Sequence, residues 1–306
     1  MENEPFPEDV KKLIDLLGKP EEDELNYTGE KKRMSRLGAL RELKRLEKGG
    51  VISPPGKCGG VNTHIHTSES FSIFKSPAEA AWIGYRAGLE VFGINDHYTI
   101  GGHKEFGEAC RILGLKATFS IEAMAMSEEA KDRDERYNDP KNPGRIYLCG
   151  KGVVGDLEPG SPSERLLTTM RDALRKRCEE MTEKAGSILR EIDSSLSLSF
   201  EDVLRFTPRG NVTERHVAQA IAELINRNFP IGNDRKEFLR KLLGSFKDKD
   251  IFIEGRFQDL VRNGLLKAGV LPTLRSHRRL FQALTNWLIS SEITAQYRLI
   301  LFWAIQ

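Results

Sequence analysis

Between residues 61 and 121 the chain passes twice from a β-patterned run to a helical one and back, through short connections. Two parallel strands cannot be joined by a tight turn. They need a crossover of a dozen or more residues, usually a helix, and that crossover is right-handed. The alternation therefore predicts a parallel sheet with helices packed on it, an α/β fold. Val61 to Thr67 alternates apolar and polar side chains, as a half-buried strand does. Ser76-Pro77-Ala78-Glu79 reads as a helix start, with Ser76 as cap, Pro77 at the first helical position and Glu79 completing a capping box. That helix runs through Ala80, Ala81, Ile83 and Ala87 to Gly88. Val91 to Ile94 is the second strand, and a helix from about Lys104 to Leu113 ends at Gly114. Lys116 to Ile121 is the third strand and Arg145 to Cys149 the fourth.

Ligand-grade side chains fall at the ends of these strands. The chain has six histidines, and His64, His66, His97 and His103 lie within this short region. His64-Ile65-His66 puts two imidazoles on one face of a strand, because side chains repeat every second residue. Asp96-His97 follows the second strand and Glu122 the third. In parallel α/β folds, binding groups gather at the carboxyl ends of strands. Three successive strands thus deliver imidazoles and carboxylates to one rim. That donor set suits a borderline divalent ion such as zinc, manganese or iron. The alternative is a set of hydrogen-bonded rim residues that holds no metal.

The remainder of the chain is mostly helical in pattern. Leu13, Leu16 and Leu17, then Leu37, Leu40, Leu43 and Leu46, give stripes across residues 7–49, which read as a charged helical pair ended by Gly49-Gly50 and a Ser53-Pro54-Pro55-Gly56 linker. Residues 127–144 are polar and read as a solvated loop or a lid. Residues 163–192 form a long helix. Its stripe of Met170, Leu174, Cys178, Met181, Ala185, Ile188 and Ile192 calls for a partner helix, either in the same chain or in a second copy. Further helices are predicted at about 200–206, 213–227 and 235–246. Gly269 to Thr273 reads as another strand, and residues 274–306 as an apolar helical tail.

Composition narrows the classes. A formal net charge of +2, with no basic stripe carrying interleaved aromatics, speaks against a nucleic-acid partner. No run approaches the roughly 18 apolar residues that span a bilayer. The acidic Met1-Glu2-Asn3-Glu4-Pro5 start lacks the basic and apolar regions of a signal peptide. Cys58, Cys110, Cys149 and Cys178 are scattered, as reduced thiols are. A cytoplasmic protein with no membrane partner is expected.

Residues 61–122 resemble the PHP (polymerase and histidinol phosphatase) superfamily of metal-dependent phosphoesterases. The HxH-T/S strand of that family is matched by His64-Ile65-His66-Thr67, and its hydrophobic strand ending in Asp-His by Val91-Phe92-Gly93-Ile94-Asn95-Asp96-His97. Its Gly-x-Glu strand end is approximated by Ser120-Ile121-Glu122. The resemblance implies a distorted (β/α)-barrel of seven strands holding a cluster of divalent ions at the strand ends. By carry-over, His64, His66, His97 and Glu122 would be metal ligands, and Asp96 would orient a ligand or a water. His103 would meet a substrate phosphate or an ordered water, or else sit on a surface loop. His216, in the first turn of a helix capped by Thr213, is a further ligand candidate with a structural histidine as the equal alternative.

The chain also departs from the family. Ser72 stands where the family has Asp or His, and Tyr147 where it has a histidine. The closing Asp-x-His is absent, since His277 is preceded two positions earlier by Arg275. The full trinuclear site therefore cannot be assembled, and one or two ions are expected. The resulting picture is an incomplete PHP-type barrel with a large helical insertion and N-terminal helices. Its divisions are a helical segment and linker over 1–55, a barrel core over 56–160, the insertion over 161–263, and a strand remnant with an apolar helix over 264–306. The predicted function is hydrolysis of a small phosphorylated substrate by metal-activated water. The alternative is a catalytically inactive PHP-like module that binds a metal or ligand. Homo-oligomerisation through the helical region is the alternative to packing of the long helix's stripe within the chain.

Overall fold

The computed structural model describes residues 6–19, 22–27, 30–140, 142–207 and 210–267. The described residues divide into two compact units, one within residues 6–124 and 136–156, the other within residues 125–135 and 157–267. The expected strand at 269–273, the apolar tail and His277 lie outside the described residues.

The first unit opens with helix α1 (Glu8–Leu17), an antiparallel hairpin of β1 (Glu22–Tyr27) and β2 (Glu30–Ser35), and helix α2 (Arg36–Lys48). The hairpin corrects the reading of residues 7–49 as helical throughout. Tyr27 pairs with Glu30, so the strands are joined through Thr28-Gly29, and a two-residue connection bearing glycine is a hairpin signal. Ser35 then caps α2, its hydroxyl accepting from the Gly38 N–H at 3.1 Å.

Strand β3 (Gly60–Ile65) leads through α3 (Pro77–Arg86) to β4 (Leu89–His97), then through α4 (His103–Leu113) to β5 (Lys116–Met126). Both β3–β4 and β4–β5 are parallel, as the alternation requires. The Ser76 hydroxyl accepts from the Glu79 N–H at 2.9 Å and Pro77 opens α3. The Glu79 carboxylate does not complete the capping box, because it accepts from the Lys75 N–H instead. Strands β4 and β5 run further than expected, so Asp96, His97 and Glu122 lie within the ladder and His97 pairs with Glu122. A polar end is no obstacle to a strand whose backbone groups are paired by its neighbour. Strand β6 (Arg145–Lys151) completes a four-stranded sheet in the order β3-β4-β5-β6.

The sheet is strongly curled. In a flat one the outer strands would stand about 14 Å apart, three spacings of roughly 4.8 Å. Here the Lys151 ammonium on β6 donates to the Thr63 carbonyl on β3 at 3.0 Å, so a single side chain links the two edge strands. Gly93 makes the bend feasible. A Cβ there would lie 2.0 Å from Thr118 Oγ1 and 2.8 Å from the Thr63 Cα. The result is part of a barrel wall among the described residues.

One face of this sheet carries the core of the unit. Ile65, Phe92 and Ile94 from the strands join Ala78, Ala81 and Trp82 of α3 and Phe106, Ala109 and Cys110 of α4. Val10, Leu13 and Leu17 of α1 and Leu40 and Leu43 of α2 belong to the same cluster, so the amino-terminal helices are part of the unit that forms the sheet.

The second unit contains α5 (Glu128–Asp132), α6 (Pro162–Ile192), α7 (Phe200–Leu204), α8 (Glu214–Asn228), α9 (Asn233–Leu243) and α10 (Glu254–Val261). Its core joins Cys178, Met181, Ala185 and Leu189 of α6 to Val217, Ile221 and Ile225 of α8, Leu239 of α9 and Phe257 and Val261 of α10. The stripe of α6 from Cys178 onward is thus covered within its own chain. Among the described residues no helix is long and apolar enough to cross a membrane, and the four cysteines are free thiols.

Candidate metal centre

Strand alternation decides which side chains meet. On β4, Gly93, Asn95 and His97 share the face away from the helices, as do Thr118, Ser120 and Glu122 on β5, because paired residues of parallel strands point the same way. On this concave side His64, His66 and Glu122 offer ligand atoms that all lie within 4.8 Å of one another. Glu122 is buried and His64 largely exposed. Glu122 Oε2 is 2.8 Å from His64 Nε2 and 3.6 Å from His66 Nε2.

The chemistry of this donor set fits a divalent ion. Two imidazoles and a carboxylate are three protein ligands of a kind found in catalytic zinc sites, where bonds of about 2.1 Å put neighbouring ligand atoms roughly 3.4 Å apart. The observed spacings, 2.8 and 3.6 Å from Glu122 to the two rings, bracket that value, so small side-chain adjustments reach it. A buried polar atom points the same way: Asn95 Oδ1, beside these groups, has no hydrogen-bond partner among the described residues.

His97, the fourth expected ligand, stands beside the triad. Its ring stacks on that of His66, centroids 4.4 Å apart and planes 21° from parallel. The Tyr147 ring lies 6.4 Å from His97, so this tyrosine faces the same site.

Asp96 points to the opposite side of β4. It is fully buried, and three short bonds hold it. Its Oδ1 accepts from the Thr67 N–H and the Ser70 hydroxyl, and its Oδ2 from the Thr67 hydroxyl, each at 2.6 Å. Burial pushes its carboxyl above the usual value, against the pull of those donors. Asp96 therefore fixes the turn that follows His66 and not a ligand ring. The Thr67 and Ser70 anchors escaped sequence reasoning, although the HxH-T pattern contains Thr67.

His103 is the first residue of α4 and is buried. Its Nε2 donates to the Ser120 carbonyl at 3.1 Å and its ring lies 5.3 Å from Phe119, which places it between helix and sheet. Burial lowers its pKa, opposed by the Ser120 carbonyl and the Asp96 charge. His216 belongs to the second unit. There its Nδ1 accepts from the Thr213 N–H at 3.0 Å and closes a capping box at the start of α8. Burial holds its pKa down to about 4, so the ring is neutral with its proton on Nε2, and in this arrangement Nδ1 is committed to the cap.

No family model matches the chain, and no curated protein matches it. Among solved structures it is similar to a protein named as a metal-dependent phosphoesterase from Bifidobacterium adolescentis, at 20% identity and a TM-score of 0.42, covering 56% of this chain and 52% of that one. It is also similar to an amidohydrolase from Chromobacterium violaceum with bound sulfate, at 16% identity and a TM-score of 0.39, covering 64% of this chain and 63% of that one. The chain thus spans about half the length of the first and under two thirds of the second.

Three further side chains complete the concave surface, and none was a predicted site residue. Asn95 Nδ2 lies 3.0 Å from His64 Nε2, donates to Glu122 Oε2 at 2.9 Å and lies 3.4 Å from Cys149 Sγ. Lys151 Nζ bonds the carbonyl of the residue before His64. Tyr147, Cys149 and Lys151 alternate along β6, a period-two signal that was present in the sequence.

Proposed function

We propose that this chain is a metal-dependent hydrolase of small phosphate esters, related in design to the PHP phosphoesterases. The observation that carries the proposal is the convergence of His64, His66 and Glu122 on one point of a curled sheet. His64 Nε2, His66 Nε2 and Glu122 Oε2 would hold a single zinc, manganese or iron ion. Such an ion supplies Lewis acidity, which lowers the pKa of a bound water and offsets charge on a phosphoryl group. Asp96 fixes the turn after His66, Asn95 bonds Glu122, and Lys151 fixes the backbone before His64. His97 and Tyr147 flank the triad and would bind substrate oxygens.

A second reading, a PHP-like module that binds metal without turnover, is favoured by Tyr147 standing where the family has a histidine. One experiment separates the two. Purified protein is analysed for bound metal and assayed on p-nitrophenyl phosphate, beside His64→Ala. Metal together with hydrolysis that His64→Ala abolishes supports the enzyme. Metal without hydrolysis supports the module. Protein that neither carries nor takes up metal and lacks hydrolysis refutes both.

A further inference from the structure

Resting on the metal reading above, we propose that Asn95 is a further member of the ion-binding set, through its amide oxygen. Its side chain is fully buried and lies among three groups that are electron-pair donors in their metal-binding forms. An imidazole nitrogen, a carboxylate oxygen and a thiol sulfur stand 3.0, 2.9 and 3.4 Å from Nδ2. An amide nitrogen carries two hydrogens, so it cannot bond all three at once. Donor atoms packed around one point form the environment a cation favours, and an NH2 group serves them poorly.

The other end of the amide is the second observation. Oδ1 is buried and has no hydrogen-bond partner among the described residues, and leaving such an acceptor unmade costs on the order of 1–3 kcal/mol. Native interiors rarely tolerate this without a reason. A half-turn about the last side-chain bond exchanges the two amide atoms. Oδ1 would then face Glu122 Oε2, an acceptor that repels it unless a cation lies between them, and His64 Nε2, which offers its lone pair once the ion has displaced its proton. Ion binding and reversal of the amide are thereby coupled. The orphaned oxygen gains a partner and the ion gains a fourth protein donor.

Asn95 shares a face with His97 and pairs with Ser120, so an oxygen-bearing side chain there reaches the triad without any movement of the sheet. An aspartate in its place would put a carboxylate oxygen at the same point.

The test is cobalt(II) binding by the full chain after chelator treatment, followed by visible absorption, for wild type, Asn95→Ala and Asn95→Asp, with circular dichroism as the check on folding. The expected result is at least a tenfold loss of affinity in Asn95→Ala and wild-type or tighter affinity in Asn95→Asp. Should Asn95→Ala not fold, Asn95→Ser, which also lacks the amide, makes the same comparison. Affinity within twofold of wild type in the truncated variant overturns the proposal. So does an equal loss in Asn95→Asp, which would show that only the amide N–H matters. A wild-type chain that binds no cobalt, like a His64→Ala control, removes the metal reading itself.

Discussion

Replacing Asp96 tests how the sheet holds its candidate ligands. In Asp96→Ala three donors lose their acceptor inside the fold: the Thr67 N–H, the Thr67 hydroxyl and the Ser70 hydroxyl. Hydrogen bonds to a charged group contribute about 1.5–3 kcal/mol each, which would sum to more than 4 kcal/mol. Two offsets apply. Hydroxyls can rotate toward other acceptors, and removing a buried carboxylate recovers its desolvation cost. The backbone N–H has no such freedom. A net loss of about 4 kcal/mol is therefore expected in Asp96→Ala by the same reckoning.

Asp96→Asn should behave differently. Its remaining oxygen can still accept from the Thr67 N–H and Ser70, and its NH2 can donate to the Thr67 hydroxyl, which reverses its role. Only the charge assistance is lost, so about 1–2 kcal/mol is expected. Urea unfolding reads both. With a slope near 2 kcal/mol per molar, Asp96→Ala shifts the midpoint by about 2 M and Asp96→Asn by less than about 1 M. Cobalt affinity should fall with stability in Asp96→Ala, because the freed turn begins at the residue after His66, and persist in Asp96→Asn. The reasoning is refuted if alanine shifts the midpoint by less than 0.5 M, on the order of 1 kcal/mol, or if asparagine is as damaging as alanine.

Two more outcomes follow from other parts of the structure. Lys151→Met removes the link between the edge strands and should weaken cobalt binding at least tenfold, while Lys151→Arg restores most of it; equal binding by both variants and wild type would show the link to be incidental. His216 has a folded pKa of about 4 against roughly 6.5 unfolded, so its contribution is complete above pH 6.5 and is lost as pH falls toward 4. By linkage it accounts for about 2 kcal/mol of stability lost between pH 7 and pH 5. In His216→Gln that increment should be missing from the acid side of the pH–stability curve, and a curve parallel to wild type would sink the assignment.

Local signals made much of this legible in the sequence. The strand–helix alternation over 61–121, the Ser76-Pro77 start of α3 and the Gly114 end of α4 are each set by a few neighbouring residues. The α6 stripe is visible because its period repeats from Met170 to Ile192, about six turns. The hairpin at 22–35 was hidden because Glu22 to Tyr27 and Glu30 to Ser35 lack alternation of apolar and polar residues and are dominated by charge. The strand ends were misjudged for a related reason, since polarity at 95–97 looks like a turn until a neighbouring strand supplies bonding partners. His64, His66 and Glu122 could be found by spacing within motifs. Asn95 could not, and the period-two spacing of Cys149 and Lys151 shows only that they share a face, because what these side chains approach lies in distant parts of the chain.

The bond from Lys151 to Thr63 closes a span of 88 residues. Bringing the ends of such a loop together from an open chain costs about 4 kcal/mol in entropy before any constant is added. A single bond to a charged donor, at about 1.5–3 kcal/mol, cannot drive that closure. The link must therefore form on a sheet whose strands have already paired, making it a late event in folding. Since that bond holds the backbone that carries His64, the ligand cluster is completed only when the edges of the sheet meet, and a chain caught before that step would have its strands but not its binding centre.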